Sequence, residues 1–253
     1  MKYIKTLYVR KPSIIFECFT ILFVKKVTEM TKQAVLFWSG GKDCVLALHE
    51  LKQSKSYQVD YLLTTYNQTT ERVPFHGIHI DLIEEQAHSL GIPLIKVPLP
   101  DQPDNHSYEQ IILNELETLK QKGVQTTVHG DIFLEDLYHY KKRLANRVGL
   151  TAHFPLWNKP TLDLSRILIE QGYTAIICGV DQKVIQPSEL GNHYSKDFVY
   201  RYKNMIDPCG ENGEFHTFVT GGPIFSKAVN IKYENKVQTL FKQYNFIELD
   251  VGI

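Results

Sequence analysis

Cysteine is scarce in this chain. Cys18, Cys44, Cys178 and Cys209 are the four in 253 residues, and they form no C-x-x-C pair. That argues against a zinc site or a dithiol redox motif, and the density is too low for a disulfide framework. Reduced thiols and a cytoplasmic location are the expectation. An excess of either charge is also missing, since 28 Lys and Arg balance 28 Asp and Glu. No wide basic surface exists to neutralise phosphates, so neither a nucleic-acid nor a membrane partner is expected. The longest apolar run, Ile14 to Val24, is broken by Glu17 and followed by Lys25 and Lys26. It is too short to span a bilayer and lacks the small-residue cleavage site of a signal peptide. Repeats and low-complexity tracts are absent.

What remains is an ordinary soluble composition, 43% hydrophobic and 22% charged, in a chain long enough for two unequal domains. Met30 stands four residues before the first strand. Residues 1–30 are therefore read as an N-terminal extension, outside the native chain if translation starts at Met30; a membrane-surface segment is the other reading.

From Ala34 onward, strand-like runs alternate with amphipathic segments, the pattern of a parallel sheet covered by helices. "AVLFW", "VDYLLTTYN", "IPLIKVPL" and "VQTTVHG" are the strands. Helices follow in "DCVLALHELKQ", in "IHIDLIEEQAHSLG", where Leu82, Ile83, Gln86, Ala87 and Leu90 share one side, and in "SYEQIILNELETLKQKG". The periodicity of "LEDLYHYKKRLANRVG" turns Leu137, Tyr140, Leu144 and Val148 inward, with Lys141, Lys142 and Arg143 toward the negative end of the helix dipole. The rhythm changes after "AHFPLW". A helix, "LDLSRILIEQG", and a buried strand, "YTAIICGVD", lead into mixed short elements from Gln186 on. A nucleotide-binding domain over 31–157 and a smaller α+β substrate domain over 158–253 are expected, divided where Pro155 and Pro160 bracket Trp157.

The stretch "WSGGKDC", Trp38 to Cys44, joins the first strand to the first helix. It is not the common nucleotide loop, which needs four residues between its glycines and Ser or Thr after the Lys. Glycines still let backbone amides approach an anion, and a helix N-terminus adds free N–H groups and partial positive charge. Ser39, Gly40, Gly41 and Lys42 thus read as a phosphate clamp. Asp43 either caps the helix or holds Mg²⁺.

Other candidates flank it. "CGENGEFHT" gathers Glu211, Glu214 and His216 around Gly210 and Gly213, able to take protons, bind Mg²⁺ or orient an amine; a polar turn into a strand is the alternative. His76, before Gly77, faces the ligand crevice or is an exposed loop histidine. Gly130, Asp131 and Glu135 follow a strand, and Asp131 meets Mg²⁺ or substrate, or caps a helix. Asp181 is a weaker candidate. Cys44 and Cys209 read as packed small residues.

"SGGKD" after a first strand resembles the signature of the N-type ATP pyrophosphatases. "GDIFLEDLYHYKKR", "FPLW" and "DPCGENGEFHTFVTGGPIF" resemble the diphthine–ammonia ligase family, from about Ala34 to about Phe225. The resemblance implies a Rossmann-like, HUP-type sheet with ATP and Mg²⁺ as cofactors. It also implies an AMP-forming carbon–nitrogen ligase: a small-molecule or protein carboxylate is adenylated with loss of pyrophosphate, and ammonia displaces AMP. Lys42, Asp43, Glu211, Glu214 and His216 are then the catalytic set. Ser39, Gly40, Gly41, Lys42, Asp43, His76, Gly130 and Asp131 bind the nucleotide, and Asp43 the metal. A homodimer is left open. Where this chain has Asn212, Phe215 and His216, eukaryotic and archaeal members resemble E-G-G-E-Y-E-T, so the substrate is open too. A tRNA- or nucleotide-modifying pyrophosphatase and a non-catalytic ATP or AMP sensor are the alternatives.

Overall fold

The computed structural model describes residues 31–74, 76–240 and 243–252. The readings of residues 1–30, Cys18 among them, lie outside the described residues. Five strands form the first sheet: β1 (Lys32–Phe37), β2 (Tyr57–Asn67), β3 (Leu94–Leu99), β4 (Thr126–Val128) and β5 (Thr151–His153). The order is β3-β2-β1-β4-β5 and every pairing is parallel. The helices between them are α1 (Lys42–Ser54), α2 (Ile80–Leu90), α3 (Asn105–Gln121) and α4 (Glu135–Arg147). This is the Rossmann-like α/β arrangement expected from the alternating pattern. The chain reverses its direction of travel across the sheet between β1 and β4, and the crevice beyond their carboxyl ends is where such sheets take ligands.

Alternation within β1 divides the core. Ala34 and Leu36 face one apolar cluster with α1 and α2, while Val35 faces a second with Ile112, Leu116 and Leu119 of α3 and Leu144 of α4. α1 is buried nearly all round, from Cys44 through Leu51, as befits a helix covered on both sides. Its second cover is the C-terminal part. After α5 (Thr161–Glu170) come β6 (Thr174–Asp181), α6 (Lys196–Tyr202), β7 (Phe215–Gly221), β8 (Ile231–Leu240) and β9 (Tyr244–Val251). The four strands form an antiparallel sheet in the order β7-β6-β9-β8. Ala175, Ile177, Phe215 and Phe218 of that sheet enter the same apolar cluster as α1.

One register differs from expectation. Leu137 is 43% exposed and Tyr140 only half-buried, whereas Leu144 and Val148 are buried as expected. Tyr138 takes the inward place, its ring 4.4 Å from Trp157 and 4.6 Å from Phe154. Itself half-buried, the Tyr138 ring packs on these two aromatic rings, a contact that Leu137 on the neighbouring position does not share.

Candidate functional site

Three segments distant in sequence meet at the carboxyl ends of β1 and β4. The first is the loop from Trp38 to Asp43. Gly41 is the N-cap of α1, in extended conformation and without a side-chain cap, so Asp43 does not cap the helix. The first helical bond runs from Val45 N–H to the Gly41 carbonyl at 3.3 Å. The amides of Asp43 and Cys44 therefore precede any helical acceptor. The Lys42 amide donates instead to Thr217 Oγ1 of β7, 3.1 Å away.

Lys42 is only 3% exposed. Its ammonium donates to Asp43 Oδ2 at 3.0 Å and lies 5.0 Å from the Phe215 ring centroid. Burial opposes its charge, but the Asp43 carboxylate, helped by Glu211, outweighs this and holds the lysine above its ordinary pKa. Burial pushes the Asp43 carboxyl up, with Asp131 and Asp207 adding and Lys42 pulling down. Asp43 Oδ1 is buried with no protein partner, the kind of oxygen that a cation or a donating ligand would satisfy.

Close approach explains two glycines. Gly40 has φ +81°, and a β-carbon there would fall 2.7 Å from Ile83 Cδ1 and 2.8 Å from Gln86 Oε1. At Gly130 a β-carbon would stand 2.8 Å from the Asp43 carbonyl carbon and 3.0 Å from Cys44 N. The loop after β4 thus rests directly on the first turn of α1. Its neighbour Asp131 receives Lys141 Nζ on both oxygens, at 2.6 and 2.7 Å. The N-cap of α4 is Leu134, so Asp131 is an ion-pair partner and not a cap; Glu135 lies in the first turn of that helix.

The third segment is the acidic loop before β7. Glu211 Oε1 accepts from the Ile132 amide at 2.7 Å, which sets it beside Asp131. Burial, with Asp43 and Asp131 adding, pushes its carboxyl up to about 7 against the pull of the Ile132 amide and Lys42. Asp207 Oδ2 accepts from the Cys209 and Glu211 amides, at 2.9 and 3.1 Å. Glu214 Oε1 accepts from the Asp207 amide at 2.8 Å and Asn212 Nδ2 at 3.1 Å, leaving a buried Oε2 without partner. Glu214 is committed to the loop's own backbone.

His216 lies within β7, not in the loop, and its ring centroid is 4.7 Å from that of His76. His76 is half-buried, which removes the exposed-loop reading. Its Nδ1 is 3.2 Å from the Pro74 carbonyl, so Nδ1 carries the proton in the neutral ring. The free Nε2 faces Gly41, 3.4 Å from where a β-carbon would stand. Burial pushes His76 down to about 4, with Lys42 adding and the Pro74 carbonyl opposing. Burial, His76 and Lys42 push His216 well below the ordinary range. Both imidazoles are neutral at pH 7.

Cys44 and Cys209 are buried and free, donating to the Gly41 and Thr161 carbonyls, and burial pushes the Cys44 thiol up to about 11. Neither is poised as a thiolate nucleophile. Asp181 accepts from the Lys183 amide and from Gln243 Nε2 and stands apart from this cluster. Sequence reasoning passed over Thr217 and Gln86. The fully buried Gln86 receives Trp38 Nε1 on Oε1 at 2.8 Å and donates to the Gly40 and Val219 carbonyls, at 3.0 and 2.6 Å. Its one visible signal was an amide on the apolar stripe of α2.

A match to a diphthine–ammonia ligase of Schizosaccharomyces pombe is 26% identical over 212 residues, 76% of this chain and 34% of that protein. The chain thus spans about a third of that relative's length. Among solved structures, a U34-tRNA thiolase from Methanococcus maripaludis, determined with its 4Fe–4S cluster, matches with a TM-score of 0.37 and 14% identity. That match covers 60% of this chain and 65% of the thiolase. The diphthamide synthase N-terminal domain matches residues 31–152 and the diphthamide synthase C-terminal domain residues 160–252; the chain belongs to the diphthamide synthase family.

Proposed function

We propose that the protein is an ATP-dependent, AMP-forming amide ligase. A carboxylate substrate attacks the α-phosphorus of ATP, pyrophosphate leaves, and ammonia displaces AMP from the acyl-adenylate. The observation that carries this reading is the buried Lys42 ammonium at the start of α1, at the crevice where the sheet reverses order. A charge so far out of water is costly unless a strong anion meets it, and Asp43 answers it with one oxygen only. Ser39, Gly40, Gly41 and the Asp43 and Cys44 amides, which precede the first helical bond, complete a clamp for the leaving pyrophosphate.

The residues fit Mg²⁺ through Asp43, whose Oδ1 is buried and unpartnered; a nucleotide-bound Mg²⁺ needs one or two carboxylates, the rest being phosphate and water. Such an ion would neutralise phosphate charge. Glu211, with a carboxyl near neutrality, is suited to take up and return a proton as the amine attacks. The neutral His76 Nε2 offers an acceptor beside Gly41. His76, His216, Gly130 and Asp131 form the walls around the reacting groups.

The test is release of AMP and pyrophosphate from ATP across a panel of carboxylic acids with ammonium, guided by the acid that accumulates in cells lacking the protein. Release that requires both an acid and ammonia supports the ligase. Tight nucleotide binding without turnover on any acid would instead indicate a sensor, and salt-sensitive, tRNA-dependent release a tRNA modifier.

A further inference from the structure

The peptide between Gly40 and Gly41 is held from behind. Its carbonyl accepts from Gln86 Nε2 at 3.0 Å and from the Val219 amide of β7 at 2.9 Å. A trans peptide points its N–H opposite to its C=O. With the Gly40 carbonyl drawn toward α2 and β7, the Gly41 N–H must face the other way, out of the loop. Gly40 itself, at φ +81°, has the freedom that would let this plane turn over, so its direction has to come from elsewhere.

Gln86 is built for that task. An amide side chain presents one acceptor and two donor hydrogens. All of these are spent: Oε1 on Trp38 Nε1, Nε2 on the Gly40 and Val219 carbonyls. Reversing the amide would set Oε1 against two carbonyls and Nε2 against an indole N–H, so a single orientation is allowed. Trp38 opens the loop and is itself fixed, its carbonyl accepting from Thr64 Oγ1 at 2.5 Å. The chain of partners thus runs from β2 through Trp38 and Gln86 to Gly40 and β7. It ties both sheets to one peptide plane.

We infer that Gln86 is a positioning residue that aims the Gly41 amide at the phosphates of ATP by pinning the Gly40 carbonyl, making phosphate affinity depend on the second sheet through β7. This rests on the reading of Ser39–Asp43 as a phosphate clamp. Gln86 touches no substrate. It acts before binding, by removing the peptide orientation in which a carbonyl would face the anion.

The experiment compares Mg-ATP and adenosine affinities by calorimetry in wild type and Gln86→Met, which keeps the side chain's length but none of its hydrogen bonds. The expected result is at least a tenfold loss for Mg-ATP with adenosine affinity unchanged in folded protein. A general loosening of the fold would weaken both ligands alike. Trp38→Phe removes the donor to Oε1 and frees the amide to turn, with a smaller loss of about threefold for Mg-ATP alone; it decides the matter if Gln86→Met fails to fold. Wild type that binds Mg-ATP no better than adenosine refutes the clamp itself. Wild type with a clear preference for Mg-ATP that both variants retain overturns the role of Gln86 and leaves the clamp standing.

Discussion

The two loops that meet beside Lys42 are built on opposite plans. In Trp38–Asp43 the backbone is held by the rest of the molecule: Gln86 and Val219 take the Gly40 carbonyl and Thr217 takes the Lys42 amide. Lys42 and Asp43 pair with each other, and Asp43 keeps a buried Oδ1 without a partner. In the acidic loop of residues 207–214 the side chains hold the backbone, Asp207 accepting the Cys209 and Glu211 amides and Glu214 the Asp207 amide together with the Asn212 side chain. Counting carboxylates therefore overstates the chemistry available there. Glu211, which reaches across to Ile132, is the acid the loop delivers.

The largest effect should come from breaking the contact that seats the loop after β4, which holds Glu211 through the Ile132 amide, on the first turn of α1. Gly130→Ala would drive a β-carbon into the backbone of Asp43 and Cys44, and backbone cannot swing aside as a side-chain tip can. Pyrophosphate release should fall at least a hundredfold, about 2.7 kcal/mol of transition-state stabilisation. Urea unfolding should register an overpacking loss of about 1–3 kcal/mol. Lys42→Ala comes next. Removing the ammonium should cost at least tenfold in turnover, about 1.4 kcal/mol, and unchanged pyrophosphate release in this variant would remove the clamp assignment.

That the first loop was legible in the sequence and the second only partly so has a physical origin. A strand followed by Gly-Gly-Lys-Asp is a local pattern, and the helix start it marks follows from chain geometry. The duties of Glu214, Asp207 and Gln86 depend on partners from two to 133 residues away, set by the fold of a turn or of the whole chain, which no periodicity encodes. Lys141 shows the same limit: in a basic run it suited the dipole of α4, yet its ammonium reaches back to Asp131. The order β7-β6-β9-β8 was equally hidden, because β6 pairs with β7 and with β9 across long separations. Leu137 was misplaced for a subtler reason, since a helical stripe does not reveal that Tyr138 at the helix start stacks on Trp157.

Glu211 should carry a smaller and pH-dependent effect. Its folded pKa, about 7, lies above the ordinary 4.5, so between those values the folded protein binds more protons than the unfolded chain. Stability therefore falls as pH rises through that window and is greatest below it. Glu211→Gln keeps an oxygen for the Ile132 amide and should remove this slope in unfolding titrations from pH 4.5 to 7. Lacking the proposed proton carrier, it should also lower turnover by about tenfold, no more than the loss expected at Lys42.

The smallest effect is expected at Glu214, and there the contrast between the loops is sharpest. As a proton carrier it would lose its chemistry on conversion to an amide, with a tenfold or greater fall in turnover. As a brace, Glu214→Gln retains Oε1 for the Asp207 amide, and its new N–H₂ occupies the position of the unpartnered Oε2. Turnover should then stay within about twofold and stability within about 1 kcal/mol. Glu214→Ala, which strips the brace from the Asp207 amide, should destabilise the fold by about 1–3 kcal/mol in the same urea titration. A loss of turnover in Glu214→Gln without loss of stability would return this carboxylate to the reacting groups.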